Sequence, residues 1–167
     1  MKSTTRTIAQ AVILVAIGVA LAPFTSFPVG IALVNPTQHF VNLLAAVLLG
    51  PWWAVAIAAI IGVIRNAMGV GTLLAFPGGM IGALLAGLLY RRFKKLYAAA
   101  GGEIVGTGIL AALVSGWLVA PFLMGKQMPM LVLLASFLGS TVLGTILGLM
   151  ALKLLERVGY VKLGDDD

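Results

Sequence analysis

The side chains able to do chemistry are few in this chain, and most of them fall in two short stretches. Asn35, Gln38, His39 and Asn42 lie in the first, and Arg65, Asn66 and Thr72 in the second. Farther along stand Glu103 and Trp117. His39 is the single histidine, so it cannot assemble a transition-metal site alone. Cysteine is absent, which removes thiolate ligands, disulfides and a thiol nucleophile. Neither HExxH, GxSxG nor GxxxxGK[ST] occurs, so zinc-dependent hydrolysis, a serine elbow and a P-loop nucleotide site are unsupported. What these types supply is hydrogen bonding. His39 and Asn42 are three apart and share a helix face; they read either as solute ligands or as a helix start with local bonding. Arg65 reads either as one wall of a solute site or as an anchor snorkelling to the membrane interface. Trp117 can stack on a flat ring, and a place in the interfacial aromatic belt is the plainer alternative.

The elements that position these residues are membrane helices. Of 167 residues, 61% are hydrophobic and 10% charged, against roughly half and a quarter in soluble domains. The expected class is all-α: a polytopic bundle of six transmembrane helices forming one domain over residues 1–167. The first apolar run, from Ile8 to Pro23, resembles a signal peptide with a cut after Ala22, but Pro23 would follow that cut. A retained helix is the better reading. Small residues on it form two small-xxx-small pairs, Ala16/Ala20 and Gly18/Ala22.

Residues 24–38 read as an irregular link. Helix two is expected from His39 to Leu49, helix three from Trp52 to Ile64, helix four after Gly79 as far as Tyr90. Helix five is expected from Ala98 to Phe122 and helix six from Met130 to Leu155. Between helices three and four, Arg65 to Gly79 carries Gly69, Gly71 and Pro77-Gly78-Gly79. That density reads as broken backbone, tolerated at membrane depth only inside protein or beside a water-filled cavity. Buried arginine costs about 2.5–3.5 kcal/mol on insertion scales, so Arg65 needs polar company. Glu103 lies near the start of helix five and Arg65 near the far end of helix three. Their depths differ by roughly 13 Å at 1.5 Å per residue, too far for a direct ion pair. Glu103 is instead expected to gain from its helix N-terminus, to bond Thr107 one turn on, or to meet solute.

Six helices put both termini on one side. Lys2, Arg6, Arg91, Arg92, Lys94, Lys95, Lys153, Arg157 and Lys162 fall together, with Arg65 and Lys126 opposite. By the positive-inside rule the termini are cytoplasmic and His39, Arg65 and Asn66 face outward, in a multi-pass protein of the cell membrane. No basic helix or aromatic-rich strand remains for nucleic acid.

Several segments together resemble the ThiW family: Pro36 through Gln38-His39 to Asn42, Gly50-Pro51-Trp52-Trp53, and Arg65-Asn66 through Gly69 and Gly71-Thr72. Ala75-Phe76-Pro77-Gly78-Gly79 and Glu103 through Gly106-Thr107-Gly108 complete them. The resemblance spans about residues 20–120. It implies a substrate-binding (S) component of an energy-coupling factor (ECF) transporter for hydroxyethylthiazole, a thiamine precursor. It further implies a transmembrane coupling subunit and ATPase subunits as partners, no cofactor, and no enzymatic activity of its own. On this reading His39, Asn42 and Asn66 bond the thiazole and Phe76 with the glycines receives its ring. Arg65 and Thr72 shape the polar wall, Glu103 and Trp117 are further candidates, and Ala16 and Ala20 dock the coupling subunit. Alanine at His39, Asn42 or Asn66 is then expected to weaken binding without disturbing the fold. The alternatives are a small integral-membrane enzyme of lipid or isoprenoid metabolism, which would want acidic metal-binding motifs, and a purely structural membrane subunit.

Overall fold

A computed structural model describes residues 4–164. Lys2 and the acidic tail Asp165–Asp167 lie outside the described residues. The described residues form six helices and one β-hairpin: α1 (Thr4–Thr25), β1 (Phe27–Val29), β2 (Ala32–Val34), α2 (Pro36–Leu48), α3 (Pro51–Ala67), α4 (Ala75–Phe93), α5 (Leu96–Leu123) and α6 (Met130–Arg157). They form a bundle of six transmembrane helices, of which α1, α5 and α6 are each long and apolar enough to cross a bilayer unaided.

The segment expected to be irregular between the first two helices is a hairpin followed by an early helix start. Phe27 pairs with Val34 and Val29 with Ala32, antiparallel, around Gly30 at a φ of 61°. Ala32 and Val34 are buried against Leu74, Val119, Leu133 and Phe137, so the hairpin is seated on the bundle. Helix α2 begins three residues before His39 because Asn35 caps it: its Oδ1 accepts the Gln38 N–H at 2.8 Å, and Pro36 takes the first helical position. The Asn35 amide also donates to Ser26 Oγ at 2.8 Å and Thr25 Oγ1 at 3.1 Å, tying the end of α1 to the start of α2. With 13 residues, α2 is about 20 Å long and does not reach across a roughly 30 Å core; the hairpin lies ahead of it.

The stretch from Arg65 to Gly79 is less broken than its composition suggests. Arg65 and Asn66 complete α3, residues 68–74 form a short link, and Ala75 to Gly79 are already helical in α4. Pro77 sits in the first turn, where its missing N–H costs nothing. Gly78 and Gly79 serve close packing: a Cβ on Gly78 would meet the Phe137 ring at 3.1 Å, and one on Gly79 the Gln38 amide at 3.2 Å. The basic segment after α4 is likewise mostly helix. Arg91 and Arg92 occupy its last turn, where cations suit the helix dipole, leaving Lys94 and Lys95 to make the link.

Two close crossings set the core geometry. Gly144 and Gly148 of α6 lie against α2, and a Cβ on Gly144 would collide with the Pro36 carbonyl and approach the His39 Cβ to 2.7 Å. Gly82 of α4 lies against α5, where a Cβ would run into Thr107 Oγ1 and come within 2.8 Å of Glu103 Oε2. Helix α5 widens into π-helical turns at Gly106–Ala111 and Ser115–Leu123, the second of which contains Pro121. On α1, Gly18 and Ala22 are buried, with Gly18 packed on Ile61, whereas Ala16 and Ala20 face outward.

Candidate functional site

Beneath the hairpin, the elements converge on a small cavity of about 30 Å³. Leu33, Val34 and Asn35 close it on one side, Gln38 and His39 of α2 and Arg65 of α3 on another. Gly78 and Gly79 of α4 with Phe137 and Ser140 of α6 complete the walls. This space holds one or two water molecules and is too small for a five-membered heteroaromatic ring. An apolar ring face, a glycine-lined wall and a handful of polar atoms are the usual makings of a small-molecule pocket.

Arg65 is 2% exposed, so it is no snorkelling anchor. Its Nη2 donates to Val70 O at 3.2 Å, Ser26 Oγ at 3.3 Å and Leu33 O at 3.4 Å, and its Nη1 to Gln38 Oε1 at 3.5 Å. The guanidinium therefore pins the hairpin, the end of α1 and the α3–α4 link to one another. Gly71 permits this, since a Cβ there would lie 3.1 Å from the Arg65 backbone.

Glu103 is fully buried, and its Oε1 lies 2.9 Å from His39 Nδ1, within hydrogen-bond distance. Asn42 Nδ2 donates to the same oxygen at 3.0 Å and to Gly79 O at 2.9 Å. Thr107 Oγ1 lies 3.2 Å from Glu103 Oε1 and donates to Gly78 O at 2.8 Å. Glu103 and Arg65, expected at different depths, do not touch. They are joined instead through two amides. Arg65 Nη1 faces Gln38 Oε1, Gln38 Nε2 donates to Asn42 Oδ1 at 3.3 Å, and Asn42 Nδ2 reaches Glu103. Each amide presents its oxygen to the cation and its N–H to the anion, the orientation that relays charge most favourably.

The sequence-derived candidates thus separate. His39, Arg65, Asn42 and Glu103 belong to one network, with His39 and Arg65 on the cavity wall. Asn66 does not line the cavity; its amide donates to Gly62 O at 2.8 Å and Thr72 O at 3.1 Å, so Asn66 and Thr72 together close the α3–α4 link. The Phe76 ring packs on Gly62. Trp117 is 65% exposed on the outer surface of α5. Phe137 and Ser140 were not anticipated as site residues. A cue existed in α6, where Ser136, Ser140 and Gly144 recur every four residues, the stripe that turns toward α2 and the hairpin.

Comparison with known proteins agrees with this architecture. The family model described as thiamine-precursor transporter protein (ThiW) matches residues 8–158. Among solved structures, the chain is similar to one reported as the S component of a bacterial ECF transporter, with a TM-score of 0.69 and 16% identity over 95% of this chain and 98% of that one. No curated protein matches the chain.

Proposed function

Because the chain belongs to the ThiW family of thiamine-precursor transporter proteins, we propose that it is the solute-capturing S component of an ECF importer and that its solute is hydroxyethylthiazole. The observation that carries this reading is the cavity under the hairpin, where Arg65, Gln38, His39 and Ser140 meet the Phe137 ring in an otherwise apolar bundle. A thiazole alcohol is flat, uncharged and small, with one hydroxyl and one ring nitrogen. Such a solute needs an aromatic slot and few hydrogen bonds, which these residues supply. Arg65 is occupied by the hairpin and the α3–α4 link, so its part is to hold the wall in place.

The space is contracted, and solute entry requires the hairpin or the first turn of α4 to yield. The hairpin is the better candidate, because its strands are only three residues each, whereas the first turn of α4 packs closely on Phe137 and Gln38. Capture occurs on the outer face, with both termini cytoplasmic, and needs no nucleotide. Delivery needs a coupling subunit and its ATPases, for which the exposed face of α1 bearing Ala16 and Ala20 offers a flat surface. Purified chain in detergent should bind hydroxyethylthiazole without nucleotide, whereas uptake by cells should require the partner subunits. An enzyme would turn the thiazole over, and a structural subunit would ignore it.

A further inference from the structure

His39 Nδ1 and Asn42 Nδ2 converge on one oxygen of Glu103, and the amide chain from Arg65 supplies the opposite charge at its far end. A carboxylate so placed only accepts hydrogen bonds. Asn42 and Gln38 cannot reverse without setting like atoms against each other at both ends of the chain. His39 must therefore donate from Nδ1. With Arg65 and Glu103 balancing one another, a protonated imidazole would leave an uncompensated cation inside an apolar bundle, so the ring is neutral. Its single ring proton sits on Nδ1, and Nε2 keeps a bare lone pair. His39 lines the cavity, and Nε2 is the ring nitrogen left to it. Across the same cavity Ser140 is 3% exposed with a hydroxyl that has no protein partner.

We propose that Glu103 is a positioning residue that locks His39 in the Nδ1–H tautomer, so that the cavity-facing Nε2 accepts a hydrogen bond and the site selects uncharged solutes presenting an O–H or N–H. This deepens the reading of the cavity as the solute site and rests on it. Carboxylates bonded to the far nitrogen of a metal-ligating histidine set its tautomer in the same way. Here the recipient is a solute donor. In a thiazole alcohol the hydroxyl serves Nε2, and the Ser140 hydroxyl is available to the ring nitrogen.

His39 is the only histidine, so full-length protein labelled with ¹⁵N-histidine in nanodiscs gives the two nitrogens of one ring and no others. The expected spectrum has a protonated Nδ1 and a bare Nε2. Adding hydroxyethylthiazole should shift Nε2, and the same thiazole carrying ethyl in place of hydroxyethyl should not. The alcohol should bind roughly 10- to 100-fold more tightly than the ethyl analogue, the range for one buried hydrogen bond. In Glu103→Gln, whose amide both donates and accepts, that preference should shrink and the tautomers should mix. A proton on Nε2 in the parent overturns the proposal, as do equal affinities for the two thiazoles. If neither thiazole binds while Nε2 is bare, the locked tautomer stands and the thiazole reading alone falls.

Discussion

Asn42 shows how far a residue's type can mislead about its role. Its spacing from His39 allowed either a solute ligand or local bonding at a helix start, and it is fully buried, bridging Gln38, Gly79 and Glu103 without lining the cavity. Asn42→Ala would leave the Gln38 amide N–H without its partner and take one donor from Glu103. Each buried polar group so orphaned costs about 1–3 kcal/mol. The variant should therefore unfold at lower temperature as well as bind solute more weakly, by about 5- to 150-fold, because His39 and Glu103 lose their shared neighbour. Calorimetry beside a binding isotherm separates the two effects; unchanged unfolding would remove Asn42 from the network. At this scale the sequence made His39, Arg65 and Glu103 conspicuous, since polar groups are costly in an apolar chain. Which of them touch one another was not legible. That depends on Gly82 and Gly144 bringing helices into backbone contact, and glycines alone do not reveal their partners.

Among the elements, the six helices were legible because each is a long apolar run ended by glycine, proline or charge. The hairpin was not, since Phe27–Val29 and Ala32–Val34 are three residues each, shorter than any alternation that marks a strand. Helix α1 carries two small-residue pairs on different faces, and the structure gives them different surroundings. Gly18 and Ala22 pack within the bundle, while Ala16 and Ala20 are exposed. If the exposed pair receives the coupling subunit, Ala16→Trp with Ala20→Trp should abolish uptake in cells while purified protein still binds solute. Uptake at the parental rate would mean that the coupling subunit docks elsewhere.

For the molecule as a whole, the distribution of charge predicts which end of the bundle faces the cytoplasm. The hairpin and cavity lie at the end of the bundle reached by Arg65, and eight of the ten cations among the described residues fall at the other. The chain lacks cysteine, so single cysteines can report sidedness without background. A cysteine at Lys94 should resist a membrane-impermeant thiol reagent in intact cells, and one at Ser26 or Lys126 should react. The reverse pattern would place the cavity inside.

Capture of solute in the cavity under the hairpin, without nucleotide, is the claim on which the rest depends. Equilibrium binding of labelled hydroxyethylthiazole to the purified parent and to Ser140→Phe, which places a ring in the cavity, tests it directly. The parent should saturate at one thiazole per chain with no nucleotide present, and Ser140→Phe, still folded by its unfolding temperature, should not bind. No saturable binding by the parent, or undiminished binding by Ser140→Phe, would contradict it.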